Sequence, residues 1–475
     1  MLIGRNKEKQ TLMDLVKKEE SQFCVVYGRR RVGKTFLIRE SFNYNFTFQH
    51  TGVANGSTKQ QLAAFRDSLR ESGLTNCRLP KDWMEAFDFL FDLIKQSNDS
   101  KKVIFIDELP WMDTPRSGLV SALEYFWNAR ATARIEKDIC LIICGSATSW
   151  ISKNIFHNHG GLYGRITEKI FLQPFSLLEC EQYAKVSGLA MERIDIAIAY
   201  MVFGGIPYYW NFLDRSLSLA QNIDRIFFAS DAKLNSEFNA LYSSLFKNPE
   251  TYMAVVTALG KKKVGMLREE IIESARLRDS GELTKVLDDL ELCGFIRHYS
   301  SFGKKTKGTI FQLIDNFTLF YFHFIEKNFT QDPNFWSNKY STAEMSTWMG
   351  LAFERLCLLH IQQIKMALGI SGVSSEVYSW STKATSEHKG CQIDLLINRS
   401  DNVINLCEMK FSMGQYNVGK DLIDSMQSKM EIFKQETKSR HAVHLTLVTT
   451  YGVDREGPFW GNLQRVLCLD DLFLC

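Results

Sequence analysis

The sequence predicts a multidomain α/β chain built around a parallel sheet, and three observations carry that prediction. Between Ser21 and Phe175, short β-branched runs (FCVVYG, VIFIDE, LIICGS, KIFLQPF) alternate with amphipathic helical segments, the pattern of strands joined by crossover helices. A glycine-containing loop, Gly28 to Thr35, separates the first of these runs from the helical FLIRESF. From Ser346 to Cys475 a second α/β pattern follows, with its own apolar strands and amphipathic helices.

Size and composition set the frame. A chain of 475 residues exceeds one ordinary core, and typical domain sizes imply about two to four domains. An apolar fraction of 45% with 23% charged residues is that of a folded globular protein. The net charge of +3 gives no global basic character, so a nucleic-acid partner has to be read from local patches. Eleven cysteines without a CxxC pair predict reduced, buried thiols and no zinc site. The N-terminal MLIGRNKEKQ lacks an apolar leader, and no apolar run approaches the roughly 20 residues that span a bilayer. The expectation is a soluble cytoplasmic protein with no membrane partner.

The first chemistry lies at Gly28-Arg29-Arg30-Arg31-Val32-Gly33-Lys34-Thr35, which satisfies GxxxxGK[ST] between a strand and a helix. The glycines let backbone N–H groups close around phosphates, with the helix N-terminus aimed at their charge. Lys34 is expected to reach the β- and γ-phosphates of ATP, and the Thr35 hydroxyl to ligate Mg²⁺. A second element supports it: the apolar run Val103 to Ile106 ends in Asp107 and Glu108. Asp107 is expected to hold Mg²⁺ and Glu108 to orient or deprotonate the attacking water. Ser146, closing the run LIICGS, either senses the γ-phosphate or caps the next helix.

These elements, in this order, resemble the AAA+/STAND-type ATPases, and in particular the archaeal-type family with a GRRRxGKT loop. Gly4-Arg5-Asn6-Lys7-Glu8 resembles that family's GRxxE box, which implies a role in holding the nucleotide base. Gly161-Leu162-Tyr163-Gly164-Arg165 precedes the run KIFLQPF, where such proteins carry an arginine finger. The resemblance makes Arg165 the candidate for stabilising transition-state charge on a neighbouring subunit, hence a homo-oligomer; the plainer reading is a surface arginine or a local pair with Glu168. Phe203-Gly204-Gly205-Ile206-Pro207-Tyr208 resembles the GxP signature of the STAND lid, with Pro207 in place of a sensor arginine, although a helix C-cap followed by a turn accounts for it equally.

The next segment, from about Thr251 to Asp315, predicts three helices and a hairpin. Ser280 is placed to cap the third helix, whose Leu283, Val286, Leu287 and Leu290 share one face. The hairpin pairs Ile296–Tyr299 with Ile310–Leu313 around the Lys-rich tip SFGKKTKGT. The whole resembles a winged helix-turn-helix, which implies DNA contact through Lys285, Lys304, Lys305 and Lys307. Asp288, Asp289 and Glu291 on the third helix oppose deep groove insertion, and an internal packing role stands beside the DNA reading.

In the last segment, Gly350-Leu351-Ala352-Phe353-Glu354 opens an amphipathic helix. Strand-like Gln392-Ile393-Asp394-Leu395-Leu396-Ile397 and Val403 to Lys410 follow, separated by a turn. Strand alternation puts Glu408 and Lys410 on one face, where Asp394 of the neighbouring strand can converge with them. An unpaired carboxylate in an apolar strand is costly, which argues for a site over a solvated hairpin. The α-β-β-β-α-β order is similar to the PD-(D/E)xK nuclease fold. That resemblance implies Mg²⁺ held by Asp394, Glu408 and Glu354, with Lys410 acting on the water or the attacked phosphate. Lys383 is expected to be a solvated loop lysine.

The expected boundaries are a P-loop AAA+ core at 1–175, a helical lid at 176–245, a winged helix-turn-helix at 246–315, a connector at 316–345, and a restriction-endonuclease-like α/β domain at 346–475. The function expected is ATP hydrolysis controlling a Mg²⁺-dependent nuclease-like domain acting on nucleic acid, DNA favoured. The alternative is an ATP-driven switch or DNA-binding regulator whose last domain is an inactive scaffold.

Overall fold

Five short strands make the first sheet of the computed structural model: β1 (Gln22–Tyr27), β2 (Phe48–Thr51), β3 (Lys102–Asp107), β4 (Ile139–Gly145) and β5 (Glu168–Phe171). All pair in parallel, in the order β2-β3-β4-β1-β5. β3 and β4 are buried at every residue and β1 at all but Tyr27, as strands covered on both faces must be. Between the strands run the helices Lys34–Ser41, Thr58–Glu71, Trp83–Gln96 and Leu119–Tyr125. Phe23, Phe48, Phe65, Trp83, Phe87, Ile104 and Leu141 form the core between them; each fully buried side chain of this kind contributes about 1.5–3 kcal/mol. β1, β3 and β4 are neighbours, so their C-terminal ends gather Gly28, Asp107 and Ser146 at one sheet edge, the edge where open parallel sheets bind ligands.

The structure describes residues 2–157, 160–246, 248–299, 302, 309–326, 332–340, 342–384, 386 and 388–475. Lys304, Lys305 and Lys307 lie outside them. The chain forms two compact units, Met1–Pro174 and Phe175–Cys475. The first break falls beside the expected boundary, while the four later segments make one unit.

That second unit begins with the helices Leu177–Val186, Arg193–Phe203, Pro207–Trp210, Leu219–Phe227 and Glu237–Leu245. Gly205 is needed where it stands, since a Cβ there would meet the Phe175 carbonyl oxygen at 2.0 Å. A three-helix module follows: Pro249–Gly260, Arg268–Ala275 and Gly281–Leu292, with strands β6 (Met266–Leu267), β7 (Ile296–Tyr299) and β8 (Ile310–Leu313) in the antiparallel order β6-β8-β7. Ser280 accepts from the Leu283 N–H at 3.3 Å and caps the third helix, and Leu283, Val286, Leu287 and Leu290 are buried.

The aromatic connector is core rather than linker. Phe324 stacks edge-on to Trp336 and Trp348 with ring centroids at 5.3 and 5.2 Å. Buried Asp224 accepts from the Trp336 and Ser337 N–H groups at 2.7 and 3.1 Å.

The last sheet has the order β13-β12-β11-β10-β9, from β9 (Ser375–Thr382), β10 (Cys391–Arg399), β11 (Val403–Lys410), β12 (Ala442–Thr449) and β13 (Arg465–Leu467). β10 runs antiparallel to both neighbours, whereas β11, β12 and β13 are parallel. Helix Ala343–Leu359 precedes the sheet and helix Lys420–Thr437 crosses over between β11 and β12. All eleven cysteines are free thiols. Among the described residues, no helix is long and apolar enough to cross a membrane.

Candidate functional sites

The loop after β1 owes its shape to two glycines. Gly28 has φ +143°, and a Cβ there would lie 2.4 Å from the Leu172 carbonyl oxygen; Gly33 has φ +92°. Arg31 is also left-handed, at φ 71°, which a non-glycine residue adopts at a cost. Arg29, Val32 and Lys34 are buried, and Arg30 and Arg31 half-buried. The Lys34 ammonium donates to the Gly28 and Arg29 carbonyl oxygens at 3.1 and 3.0 Å, so the loop is closed on its own lysine.

Thr35, in the first turn of helix Lys34–Ser41, donates its hydroxyl to Asp107 Oδ2 at 2.9 Å. Oδ1 of Asp107 accepts from the Glu108 N–H at 3.0 Å and from the Cys144 thiol at 2.6 Å. Sequence reasoning did not single out Cys144; its position in β4, the strand beside β3, is the signal that could have found it. Glu108 is left-handed at φ 47° and its carboxylate accepts from the Ser146 hydroxyl at 3.1 Å and the Ser146 N–H at 3.2 Å. Ser146 thus bonds a carboxylate, while the following short helix takes its N-cap from Ala147 without a side-chain bond. Burial pushes the Glu108 carboxyl above its usual range, with the Lys34 charge and the Ser146 bonds opposing the rise.

Arg5 is buried and donates to the Gln173 carbonyl oxygen at 2.6 Å. Arg165 is exposed and, among the described residues, makes no ion pair; Glu168 accepts from the Lys169 N–H instead. Pro207 belongs to the second unit, where it opens helix Pro207–Trp210.

A second constellation stands in the C-terminal sheet. Glu408 and Lys410 lie side by side on β11, with Lys410 Nζ 2.9 Å from Glu408 Oε1. Lys429, from helix Lys420–Thr437, reaches the other oxygen at 2.8 Å. Burial would raise the Glu408 carboxyl, but the Lys429 and Lys410 charges hold it below its usual range. Asp394 sits where the β9–β10 register shifts between Ile393 and Leu396, and such bulges re-aim a side chain. Gln392 donates to its Oδ1. Glu354, on helix Ala343–Leu359, is largely buried, and Lys263 of the three-helix module stands 2.5 Å from its Oε2 and 4.0 Å from Asp394 Oδ2. Burial raises the Glu354 carboxyl and the Asp394 charge adds to it.

Lys263 and Lys429 were not legible, since nothing local in the sequence brings them to these carboxylates. Lys383 is exposed on the loop after β9, and Lys285 is exposed on the third helix of the module. Among the described residues, no three His, Cys, Asp or Glu side chains are gathered as a metal-ligand group.

Residues 2–211 match the family described as an ATPase domain predominantly from Archaea. An uncharacterized protein of Methanocaldococcus jannaschii is 24% identical over 425 residues, covering 86% of this chain and 88% of that protein. Among solved structures, the Walker-type ATPase of Pyrococcus abyssi aligns with a TM-score of 0.47 at 15% identity, over 67% of this chain and 95% of that one. The ORC2 protein of Aeropyrum pernix in its ADPNP–ADP complexes aligns with a TM-score of 0.40 at 14% identity, over 72% and 96%. The N-terminal part of this chain thus matches the archaeal-type ATPase domain over residues 2–211 and holds a parallel five-stranded sheet, and an extra sheet domain follows it.

Proposed function

We propose that the chain is an ATP-binding and hydrolysing switch of the AAA+/STAND type. In this reading it controls a C-terminal nuclease-like domain acting on nucleic acid, with DNA the favoured substrate. Residues 176–245 are its lid, with Pro207 the lid's candidate for nucleotide contact. Residues 246–315 are a winged helix-turn-helix, 316–345 the connector, and 346–475 the PD-(D/E)xK-like domain.

The observation that carries the ATPase reading is the meeting of Thr35 with Asp107 beside the Glu108–Ser146 pair. A hydroxyl and a carboxylate already in contact are the hard oxygen donors that suit Mg²⁺. Bound there, Mg²⁺ would neutralise charge on the β- and γ-phosphates. Lys34 leaves the carbonyl oxygens of Gly28 and Arg29 for the phosphates. Glu108, its proton affinity raised by burial, takes a proton from the attacking water while Ser146 fixes its carboxylate. Arg165, exposed, supplies charge to the nucleotide of a second copy.

In the last domain, Glu354, Asp394 and Glu408 offer oxygen donors from one helix and two adjacent strands, chemistry that fits Mg²⁺. Lys410 would stabilise the attacked phosphate or hold the water. One observation favours the second reading, a switch with a non-catalytic scaffold: Glu354 and Glu408 each face lysine ammoniums. The purified protein should hydrolyse ATP and cleave a mixture of DNA and RNA with Mg²⁺, and Asp394→Ala should lose cleavage alone. Normal ATP turnover with no cleavage of any substrate would select the scaffold reading.

A further inference from the structure

Lys263 lies in the loop between helix Pro249–Gly260 and β6, and that loop is fixed along its length. Its own carbonyl oxygen accepts from Gln312 Nε2 at 2.7 Å, and Gln312 in turn accepts from Arg297 Nε at 2.8 Å. The next carbonyl oxygen, of Val264, accepts from the Tyr299 hydroxyl. Gly265 has φ +84°, and a Cβ there would meet the Phe311 carbonyl oxygen at 2.4 Å, so the turn tolerates no side chain. Lys262 is committed to Glu270 at 2.6 Å. Three adjacent side chains of the β6-β8-β7 sheet thus hold the backbone from which Lys263 projects.

Its ammonium stands between Glu354 and Asp394, at 2.5 and 4.0 Å. Oε2 of Glu354 is buried and faces the Lys263 ammonium, so the lysine charge is what offsets its loss of water. A carboxylate oxygen placed in this way is costly unless a cation accompanies it. A second contact joins the same two parts of the unit. Phe302, the described residue beyond β7, packs its ring on Tyr378 and Phe433 of the last domain at 5.3 and 5.1 Å. Its N–H donates to the Ser379 carbonyl oxygen of β9 at 3.4 Å. One contact is ionic and one apolar, and both are lost if the three-helix module leaves the sheet.

We propose that Lys263 is a tethered counter-ion occupying the cation position of the C-terminal acidic site while the three-helix module is docked. A divalent cation and the docked module therefore compete for Glu354 and Asp394. Release of the module opens the site, and cation binding favours release, since the two effects are reciprocal. This rests on the reading of Glu354, Asp394 and Glu408 as a cation site.

The test is Mn²⁺ binding to the full chain without nucleotide, by calorimetry, for wild type, Lys263→Gln, Lys263→Met, and each of these combined with Asp394→Asn. Melting temperature and ATP turnover report whether each variant is folded. Removing the competing charge should tighten Mn²⁺ binding about tenfold or more, and Asp394→Asn should erase that gain. Equal or weaker binding by both Lys263 variants would overturn the counter-ion role while leaving the cation site intact. Binding that Asp394→Asn never changes would remove the cation site itself, and the proposal with it. Wild-type protein gives a second readout: saturating Mn²⁺ should accelerate amide exchange across residues 261–267, and unchanged exchange at full Mn²⁺ occupancy of the Asp394-dependent site would contradict the proposal.

Discussion

The hydroxyl of Thr35 donates to Oδ2 of Asp107 across 2.9 Å, tying the helix after the phosphate loop to the end of β3. Seventy-two positions separate the two in sequence, and only the parallel pairing of β1, β4 and β3 brings them together. The pair offers a hydroxyl and a carboxylate oxygen side by side, and burial raises the proton affinity of the neighbouring Glu108.

Lys34→Ala should abolish ATP turnover and weaken nucleotide binding, because the loop loses the ammonium proposed to reach the phosphates. Glu108→Gln should bind ATP like wild type and turn it over about 10²-fold or more slowly, the range for removing a positioned base. Fluorescent-nucleotide titration beside steady-state phosphate release separates the two; equal loss of binding in both variants would contradict the assigned roles.

The acid limb of kcat/KM should lie above the usual carboxylate range, because Glu108 must be ionised to accept a proton and burial raises its affinity for one. Activity is therefore retained at higher pH and lost as pH falls through the raised value. Ser146→Ala removes the hydroxyl hydrogen bond to the ionised form and keeps the backbone one, so its acid limb should move further up. A limb that stays fixed, or moves down, would show that Ser146 does not tune this group.

Arg165→Ala should lower kcat with little change in nucleotide affinity, and wild-type turnover per molecule should rise with protein concentration. Both follow from the proposal that Arg165, exposed and without an ion pair among the described residues, acts in trans. Turnover independent of concentration would place Arg165 outside catalysis in trans.

His360 supplies a stability prediction for the second unit. It is buried, its Nδ1 lies 2.8 Å from the Leu356 carbonyl oxygen, and its Nε2 accepts from the Leu177 N–H at 3.3 Å. Burial lowers its pKa from 6.5 to about 4. The folded state therefore holds it neutral, and stability present above the unfolded value of 6.5 is lost as pH falls toward 4. By linkage this loss is about 2 kcal/mol between pH 7 and pH 5. Urea unfolding of wild type against His360→Gln should show it, with the variant less stable at pH 7 but flatter in pH; parallel pH curves would refute it.

Legibility in the sequence followed locality. The loop Gly28 to Thr35 and the Asp107-Glu108 pair are local patterns on buried strands, and the structure gathers them at one sheet edge. Glu408 and Lys410 are two apart on β11, so strand alternation alone puts them together. β2 was not legible, because a four-residue strand reading Phe-Gln-His-Thr has no run of apolar residues. Lys263 and Lys429 reach their carboxylates only through tertiary packing. The register shift that aims Asp394 comes from a mismatch between β9 and β10 that neither strand displays by itself.

Nucleotide at the Thr35–Asp107 site is proposed to govern the chemistry at Glu408 and Lys410. The direct measurement is Mg²⁺-dependent cleavage of mixed DNA and RNA, with and without ATP, by wild type and by Lys34→Ala. Cleavage by wild type should change on adding ATP, and cleavage by Lys34→Ala should not respond. Cleavage identical in all four conditions would contradict control by nucleotide, and no cleavage in any would leave an ATPase with a scaffold in place of a nuclease.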